Sequence, residues 1–493
     1  MILIVKSWLI KNAVWIIIGL CLVSRLPQLL NTNILIDQDE CIMGLMAKHF
    51  AEGKTIPFFF YGQNYGFSFV EVVFIRIFYF FFGVTDTAIR LSMLSLWTIG
   101  VVFHYKTLKN LSTPTDFFKQ WLAFLLTLVF IFCPVWAVWS LKARGGYLTA
   151  FTLFSVVTYL ISGQKQTKTP HLFALLGLIL VLIYQAQPLW LAGLAPILSY
   201  FLYQNRQNNL LAASPFLILG IGLTAAFFFY IKMGLPNYWS PKVLSLRDFS
   251  FAPIYKYIYW NFTGSYIYEF VSPPFITQIL SIIFTLLLTI VLGFGGFWAI
   301  KKENKNPLFY IFCLSVLATL FYKLIIKDES PRYLLPLYGG ASCLFYTFFE
   351  DSVYKKAIQN TAYTLIVLGV FSLYSFRKMD YEYAPKSVVL ATIKQLQNQN
   401  TPYVFCRGGA LQWSLMFYSK EEIIARCLGN TDRCPTYIER VNTALENTPR
   451  KTAMIGFYQS EDSTLVPITP IARQYYIYSE PKKAFLQQHG FQF

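Results

Sequence analysis

Asp37-Gln38-Asp39-Glu40 sets three carboxylates within four residues, soon after the first apolar run of the chain, which opens at Ala13. Carboxylates belong in water or in a site that uses them, so such a cluster beside a membrane-length apolar run needs a reason. The bland one is a helix cap, with Asp39 capping a helix that begins at Glu40 and the acids favoured by the helix dipole. One acid suffices for a cap. Three crowded carboxylates repel one another unless a proton, a metal or a cationic partner relieves them, which favours a functional role for Asp37, Asp39 and Glu40 together.

The chain around the cluster is 493 residues long, 56% hydrophobic, 18% aromatic and 13% charged, against roughly 25% charged in soluble domains. Apolar runs long enough to cross a hydrocarbon core of ~30 Å recur from Ala13 to about Arg377, whereas the remainder to Phe493 has soluble composition. Two domains follow: residues 1–377 as a polytopic α-helical membrane domain and 378–493 as a small soluble α/β domain. The formal net charge is +17, but its Lys and Arg are scattered between apolar runs with no basic tract or interleaved aromatics, so nucleic acid is excluded as a partner.

Spans are expected to begin at Ala13, Ala88, Trp121, Tyr147, His171, Pro188, Leu211, Phe275, Pro307, Leu334 and Asn360, about eleven crossings. An inside N-terminus puts Lys106, Lys109, Lys119, Lys165, Lys168, Arg206, Lys301, Lys302, Lys305, Lys355 and Lys356 on the cytoplasmic side. That holds only if Gly66 to Gly83 does not cross. This run is therefore expected to be a juxtamembrane helix, since Glu71 and Arg76 in its middle are costly inside a bilayer. Cys41 to Glu52 is a second juxtamembrane candidate, with Ile42, Leu45, Met46 and Phe50 on one apolar face. The protein is thus expected in the plasma (inner) membrane, multi-pass, with its C-terminal domain extracytoplasmic.

On this topology four segments gather at the outer face: Asp37 to Glu40, Lys142-Ala143-Arg144-Gly145-Gly146-Tyr147, Gln185-Ala186-Gln187-Pro188, and Asp328-Glu329-Ser330-Pro331-Arg332-Tyr333. Arg144 and Arg332, the latter beside Tyr333, run against the positive-inside trend, and guanidinium groups suit bidentate phosphate recognition. Snorkelling anchors are the bland alternative. Tyr61-Gly62-Gln63-Asn64-Tyr65-Gly66 is either a plain loop or a sugar-facing lip, its amides and rings matching carbohydrate hydroxyls and CH faces. His49, His104 and His171 lack ligand spacing and receive no role. No Walker loop, GxSxG elbow or HExxH occurs, so ATPase, serine hydrolase and metalloprotease chemistry lack their residues. The eight cysteines form no CxxC. If the tail faces an oxidising compartment, a disulfide among Cys406, Cys427 and Cys434 is open, Cys427 and Cys434 being nearest in sequence.

The pattern Asp37-x-Asp39-Glu40-x-x-x-Gly44-Leu45-Met46-Ala47-x-His49-x-x-x-Gly53, then Pro57 and Tyr61-Gly62-Gln63-x-Tyr65-Gly66, resembles the first outer loop of the GT-C superfamily. More closely, it resembles bacterial polyprenyl-phosphate-sugar glycosyltransferases related to protein O-mannosyltransferases and lipid A aminoarabinose transferase. Pro331-Arg332-Tyr333-Leu334-Leu335-Pro336 resembles the family's Arg-Tyr segment before a late span, and Leu411-Gln412-Trp413-Ser414 to Ile424-Ala425-Arg426 and Arg433 to Tyr437 resemble its extensions. The resemblance implies transfer of a sugar from a polyprenyl-phosphate donor to a glycan, lipid or protein hydroxyl at the outer face, usually with inversion. By position Asp39 matches the catalytic Asp and Glu40 its paired acid. The chain departs from the family in having no Lys close to Gln63 to grip phosphate.

Asp39 is accordingly the expected general base, with Arg144, Arg332 and Tyr333 on the donor phosphate. The helix end at Gly145-Gly146 is expected to contribute amides, and Tyr61, Gln63, Tyr65 and Tyr147 to face sugar or acceptor. No soluble cofactor is required. A divalent metal is left open, with Asp37 and Asp39 its candidate ligands. The tail is expected to hold helices at Ser387 to Gln397 and Thr436 to Leu445 and strands at Pro402 to Cys406 and Ala453 to Phe457. It is expected to serve acceptor recognition or packing, without a catalytic set of its own. The competing class is a transporter or flippase of lipid-linked sugars, which would place its charges near mid-depth.

Overall fold

The computed structural model describes residues 2–31, 36–112, 116–163, 170–205, 210–233, short pieces between 275 and 297, and 307–325, 334–349, 355–375, 386–428, 433–456, 468–471 and 475–493. Twelve described helices cover the first half: α1 Ile2–Lys11, α2 Ala13–Val23, α3 Leu26–Leu29, α4 Gln38–Ala51, α5 Phe69–Phe82, α6 Asp86–Leu111, α7 Phe117–Phe132, α8 Trp136–Trp139, α9 Tyr147–Ser162, α10 Pro170–Ala186, α11 Leu189–Asn205 and α12 Leu210–Lys232. Beyond them lie α13 Pro307–Ile325, α14 Leu337–Phe349 and α15 Lys355–Ser375, then α16 Lys386–Asn398, α17 Gly409–Tyr418, α18 Pro435–Asn447 and α19 Lys483–Gln488 of the tail.

The expected span starts fall at or close to the starts of α2, α6, α7, α9 to α15, with the Phe275 span largely outside the described residues. Among the described helices, Asp86–Leu111 and Ser214–Lys232 are long and apolar enough to cross a membrane. A third crossing arises if Ile4–Lys11 and Ala13–Leu29, bent by 80°, act as one. Phe117–Phe132, Tyr147–Ser162, Pro170–Ala186, Leu189–Gln204 and Pro307–Phe321 are apolar but shorter. The figure of about eleven crossings stands as a sequence expectation.

Two details of the first loop differ from expectation. The α4 helix starts at Gln38, and its cap is Asp37, not Asp39: Asp37 accepts from the Glu40 amide while the Glu40 side chain accepts from the Asp37 amide. That reciprocal pair satisfies two otherwise orphaned donors. Nor does α4 bury one face only. Cys41 through Ala47 are all buried, because α5 and α6 flank the helix and α17 of the tail covers it. At Gly44 the Phe417 ring lies where a side chain would be, 2.5 Å from an added Cβ. The α5 helix has 14 residues, about 21 Å at the ~1.5 Å rise per residue, short of a hydrocarbon core. Its Glu71 is fully buried against protein, while Ile77, Phe80, Phe81 and Phe82 are exposed.

The tail is a small α/β layer, with strands β1 Tyr403–Cys406, β2 Ile424–Cys427, β3 Thr452–Gly456, β4 Ile468–Ile471 and β5 Tyr475–Ser479 in the order β2-β1-β3-β5-β4. β1 pairs parallel with β2 and β3, and the β3–β5 and β4–β5 pairs are antiparallel. The expected helices and strands appear as α16, α18, β1 and β3. All eight cysteines are free thiols, Cys427 and Cys434 included.

Candidate functional site

The capping box fixes the first turn of α4, so Asp37 and Asp39 present their carboxylates to whatever faces that turn. The chain between α8 and α9 faces it. Lys142 donates to Asp37 Oδ2 at 2.7 Å and lies 4.0 Å from Glu40, and Arg144 Nη1 is 3.6 Å from the same Asp37 oxygen. Burial alone would raise the Asp37 carboxyl, but the charges of Lys142 and Arg144 and the bonds from Lys142 and the Glu40 amide hold it well below the usual carboxylate range. Glu40 goes the other way: burial, then the neighbouring Asp37 charge, raise it towards the neutral acid. Of the acids in the cluster, one is held charged and another is pushed to keep its proton.

Asp39 stands between two guanidinium groups. Arg144 Nε donates to Oδ2 at 3.1 Å, and Arg433 Nη1, from the start of α18, lies 3.8 Å from Oδ1. The arrangement brings together Asp37, Asp39, Glu40 and Arg144, with Lys142 and Arg433 beside them. Arg332 and Tyr333 lie outside the described residues, as does the whole segment Asp328 to Tyr333.

Three backbone segments cross beneath the cluster at very short range. The Phe67 amide donates to the Gln185 carbonyl at 2.9 Å, and Gly66 approaches the Gly145 carbonyl. Gly146, with φ +91°, sits where a Cβ would be 2.8 Å from the Phe67 carbonyl and 2.9 Å from that of Ala186. Here the segments Lys142 to Tyr147 and Gln185 to Pro188 do meet, and only glycine fits between them. Gly146→Ala is expected to cost more than twice as much stability as Gly53→Ala, where φ is also positive, +76°, but nothing lies within 4 Å. The control carries only the left-handed strain of about 1–2 kcal/mol, and thermal melting of the purified variants measures the difference.

The α9 helix end was expected to offer its amides to a phosphate. Instead the buried Glu71 carboxylate takes the Gly146 amide at 3.0 Å. Burial raises the Glu71 carboxyl to about 7 against the lowering effect of the α9 amides. The first-turn donors thus serve a carboxylate of this chain. Tyr147 is buried beside Trp139, their ring centres 5.5 Å apart.

A second polar cluster joins α4 to the tail. Glu421 accepts from His49 Nε2 at 3.0 Å and from the Tyr437 hydroxyl at 2.7 Å, and pairs closely with Lys48. Burial opposes ionisation of Glu421, but the bonds from His49, Lys48 and Tyr437 hold its carboxyl well below the usual range. With Nε2 donating, the other nitrogen of a neutral His49 accepts from the Tyr61 hydroxyl at 2.7 Å. Tyr61 therefore spends its hydroxyl on this cluster, while Gln63 and Tyr65 follow in the turn that packs on Arg433. His49, Glu52 and Glu421 could in geometry hold a metal ion, yet the Lys48 ammonium bonds both carboxylates, Glu52 at 2.7 Å. The charge an ion would bring is already there. The same test applies to Asp37 and Asp39: their oxygens meet Lys142, Arg144 and Arg433, an arrangement built for cationic side chains.

Further contacts seat the tail on the helical domain, among them Lys386 with Asp86 at 2.6 Å and the Tyr418 hydroxyl with Asp86 at 3.3 Å. His49 and the stretch Arg433 to Tyr437 fall in segments quoted for the resemblance but carry no assigned role, and Glu421 carries none either, since each gains meaning only when α17 and α18 lie against α4.

No family model matches the sequence, and no curated protein matches it. Solved structures do match. ArnT from Cupriavidus metallidurans in the apo state superposes with a TM-score of 0.61 at 11% identity, over 95% of this chain and 98% of that one. ArnT from the same organism bound to undecaprenyl phosphate gives 0.60 at 10% identity over the same shares. Over 95% of its length this chain shares the fold of these ArnT structures.

Proposed function

We propose that the protein is a membrane glycosyltransferase that moves a sugar from a polyprenyl-phosphate donor to a hydroxyl of a glycan, lipid or protein. The observation that carries this is Asp39 held between Arg144 and Arg433, next to the Asp37–Lys142 pair, in a fold it shares with an ArnT solved with undecaprenyl phosphate. A base and a set of phosphate-sized cations stand within one side chain's reach, which is what displacement of a lipid phosphate needs.

In the proposed step Asp39 takes the proton of the acceptor hydroxyl as its oxygen bonds to the anomeric carbon. The bond from that carbon to the phosphate oxygen breaks, and the electron pair leaves with the lipid phosphate. Attack opposite the leaving group inverts the anomeric centre. Charge growing on the phosphate is met by Arg144 and Lys142, with Arg332 and Tyr333 assigned to the same role. In the resting site Arg144 is spent on Asp39; an arriving phosphate competes for that guanidinium and releases the carboxylate to act as base. Gln63, Tyr65, Tyr147 and the ring of Tyr61 are assigned to sugar or acceptor, and Glu40 to holding the α4 start. The membrane domain seats the polyprenyl chain, with the site and tail on the outer face of the plasma (inner) membrane.

The test supplies purified protein in lipid with polyprenyl-phosphate sugars and an acceptor mixture, and follows release of free lipid phosphate. Release with glycosylated acceptor is the expected result. Lipid-linked sugar that changes leaflet without losing its sugar would overturn the reading in favour of a flippase. Because lysine and arginine already neutralise both aspartates, turnover is expected to change less than about twofold after a divalent chelator. A loss restored by one metal ion would instead give Asp37 and Asp39 a ligand role.

A further inference from the structure

Arg433 belongs to the soluble domain, yet its guanidinium lies 5.0 Å over the Phe60 ring and 3.8 Å from Asp39. Its backbone is fixed on two sides. Gly62, with φ +66°, approaches so closely that a Cβ there would be 2.7 Å from the Arg433 carbonyl. One turn further on, Tyr437 is bonded to Glu421. The guanidinium, by contrast, makes no hydrogen bond among the described residues, and its side chain is 25% exposed. A loose exposed ion pair with Asp39 would be worth little, and does not explain a cation placed by a glycine close approach and stacked on a ring. Five N–H donors held in place beside an open edge form a receptor for an anion.

Arg144 and Arg433 approach opposite oxygens of the Asp39 carboxylate. A phosphate ester entering between them can accept from both forks while Asp39 turns to the acceptor. We infer that Arg433 is a phosphate-binding residue of the Asp39 site, so that the site is complete only when the C-terminal domain is docked on α4. The ligand class is the phosphodiester monoanion of a lipid-linked sugar and its phosphate-monoester product. This inference rests on the glycosyltransferase reading, but the two fail separately.

Full-length protein in lipid nanodiscs is titrated with undecaprenyl phosphate, and in a parallel arm with inorganic phosphate. Arg433→Ala is expected to weaken undecaprenyl phosphate binding about tenfold or more, the worth of a charge-assisted pair. Arg433→Lys is expected to recover part of the loss, since an ammonium keeps the charge without the fork, and it serves as the second variant should alanine fail to fold. Arg440→Ala, exposed on the same helix, is expected to bind as the parent does. Parent-like binding by Arg433→Ala overturns the inference and leaves the glycosyltransferase reading standing. If the parent itself ignores undecaprenyl phosphate, the glycosyltransferase reading fails. The inorganic arm then decides: phosphate binding lost in Arg433→Ala keeps the anion site, and phosphate binding unchanged removes it.

Discussion

Asp39→Asn is expected to slow sugar transfer about a thousandfold, within the range general-base catalysis contributes, while undecaprenyl phosphate binds at least as tightly as to the parent. Asparagine keeps the shape and the bond from Arg144 but cannot accept a proton. It also removes the negative charge that competes with phosphate for Arg144 and Arg433, which is why binding and turnover are expected to part company. Single-turnover release of lipid phosphate, measured beside binding, reads both. Neighbouring acids should behave differently. Glu40→Gln is expected to stay within about threefold, because Glu40 is already pushed towards its neutral form and glutamine can complete the same capping box. Asparagine at 39 that retains a tenth of the parent rate, or that loses binding and turnover together, would remove the base assignment.

Much of this site is legible in sequence because charge in the wrong place is conspicuous. The acids at 37, 39 and 40 follow an apolar run and Lys142 and Arg144 precede another, which gathers them at one face, whereas the ion pairs between them appear only in the structure. The Gly145-Gly146 pair announces close approach, and at Gly146 what approaches is the backbone of Phe67 and Ala186. The identity of the cap was also within reach: Asp37-x-x-Glu40 has the spacing of a capping box, and the competing choice of Asp39 ignored it. Of the tail helices, α16 and α18 follow from apolar spacing, whereas α17 and α19 do not. β2, β4 and β5 are not expected from sequence, being runs of four or five residues without apolar alternation. The roles of Arg433 and Glu421 are not legible locally, although Arg433 opens a stretch that resembles the family's extensions. Each is one polar residue among many in a soluble domain, and its role arises from docking between segments nearly four hundred positions apart.

Docking itself hangs on Glu421, and Glu421→Ala is expected to shift the balance between docked and undocked tail by about a hundredfold or more, since orphaning a buried ionic group costs about 3–5 kcal/mol. Only 9% of its side chain is exposed, and His49, Tyr437 and Lys48 lose their shared acceptor at once, Lys48 alone keeping Glu52. The residue is also held at φ +69° and its neighbour Lys420 at +53°, both in the left-handed region. That strain costs about 1–2 kcal/mol per residue, and offers a clean comparison. Lys420→Gly relieves strain at an exposed position without touching the cluster, so docking should tighten or stay level. Glu421→Gly relieves the same strain but deletes the carboxylate, and docking should still loosen. Amide hydrogen exchange over α4 and α17 measures both, because Cys41 to Ala47 are covered by the tail only while it is seated. If Glu421→Gly protects those amides as well as Lys420→Gly does, the carboxylate is incidental and packing of Phe417 on Gly44 holds the domains together.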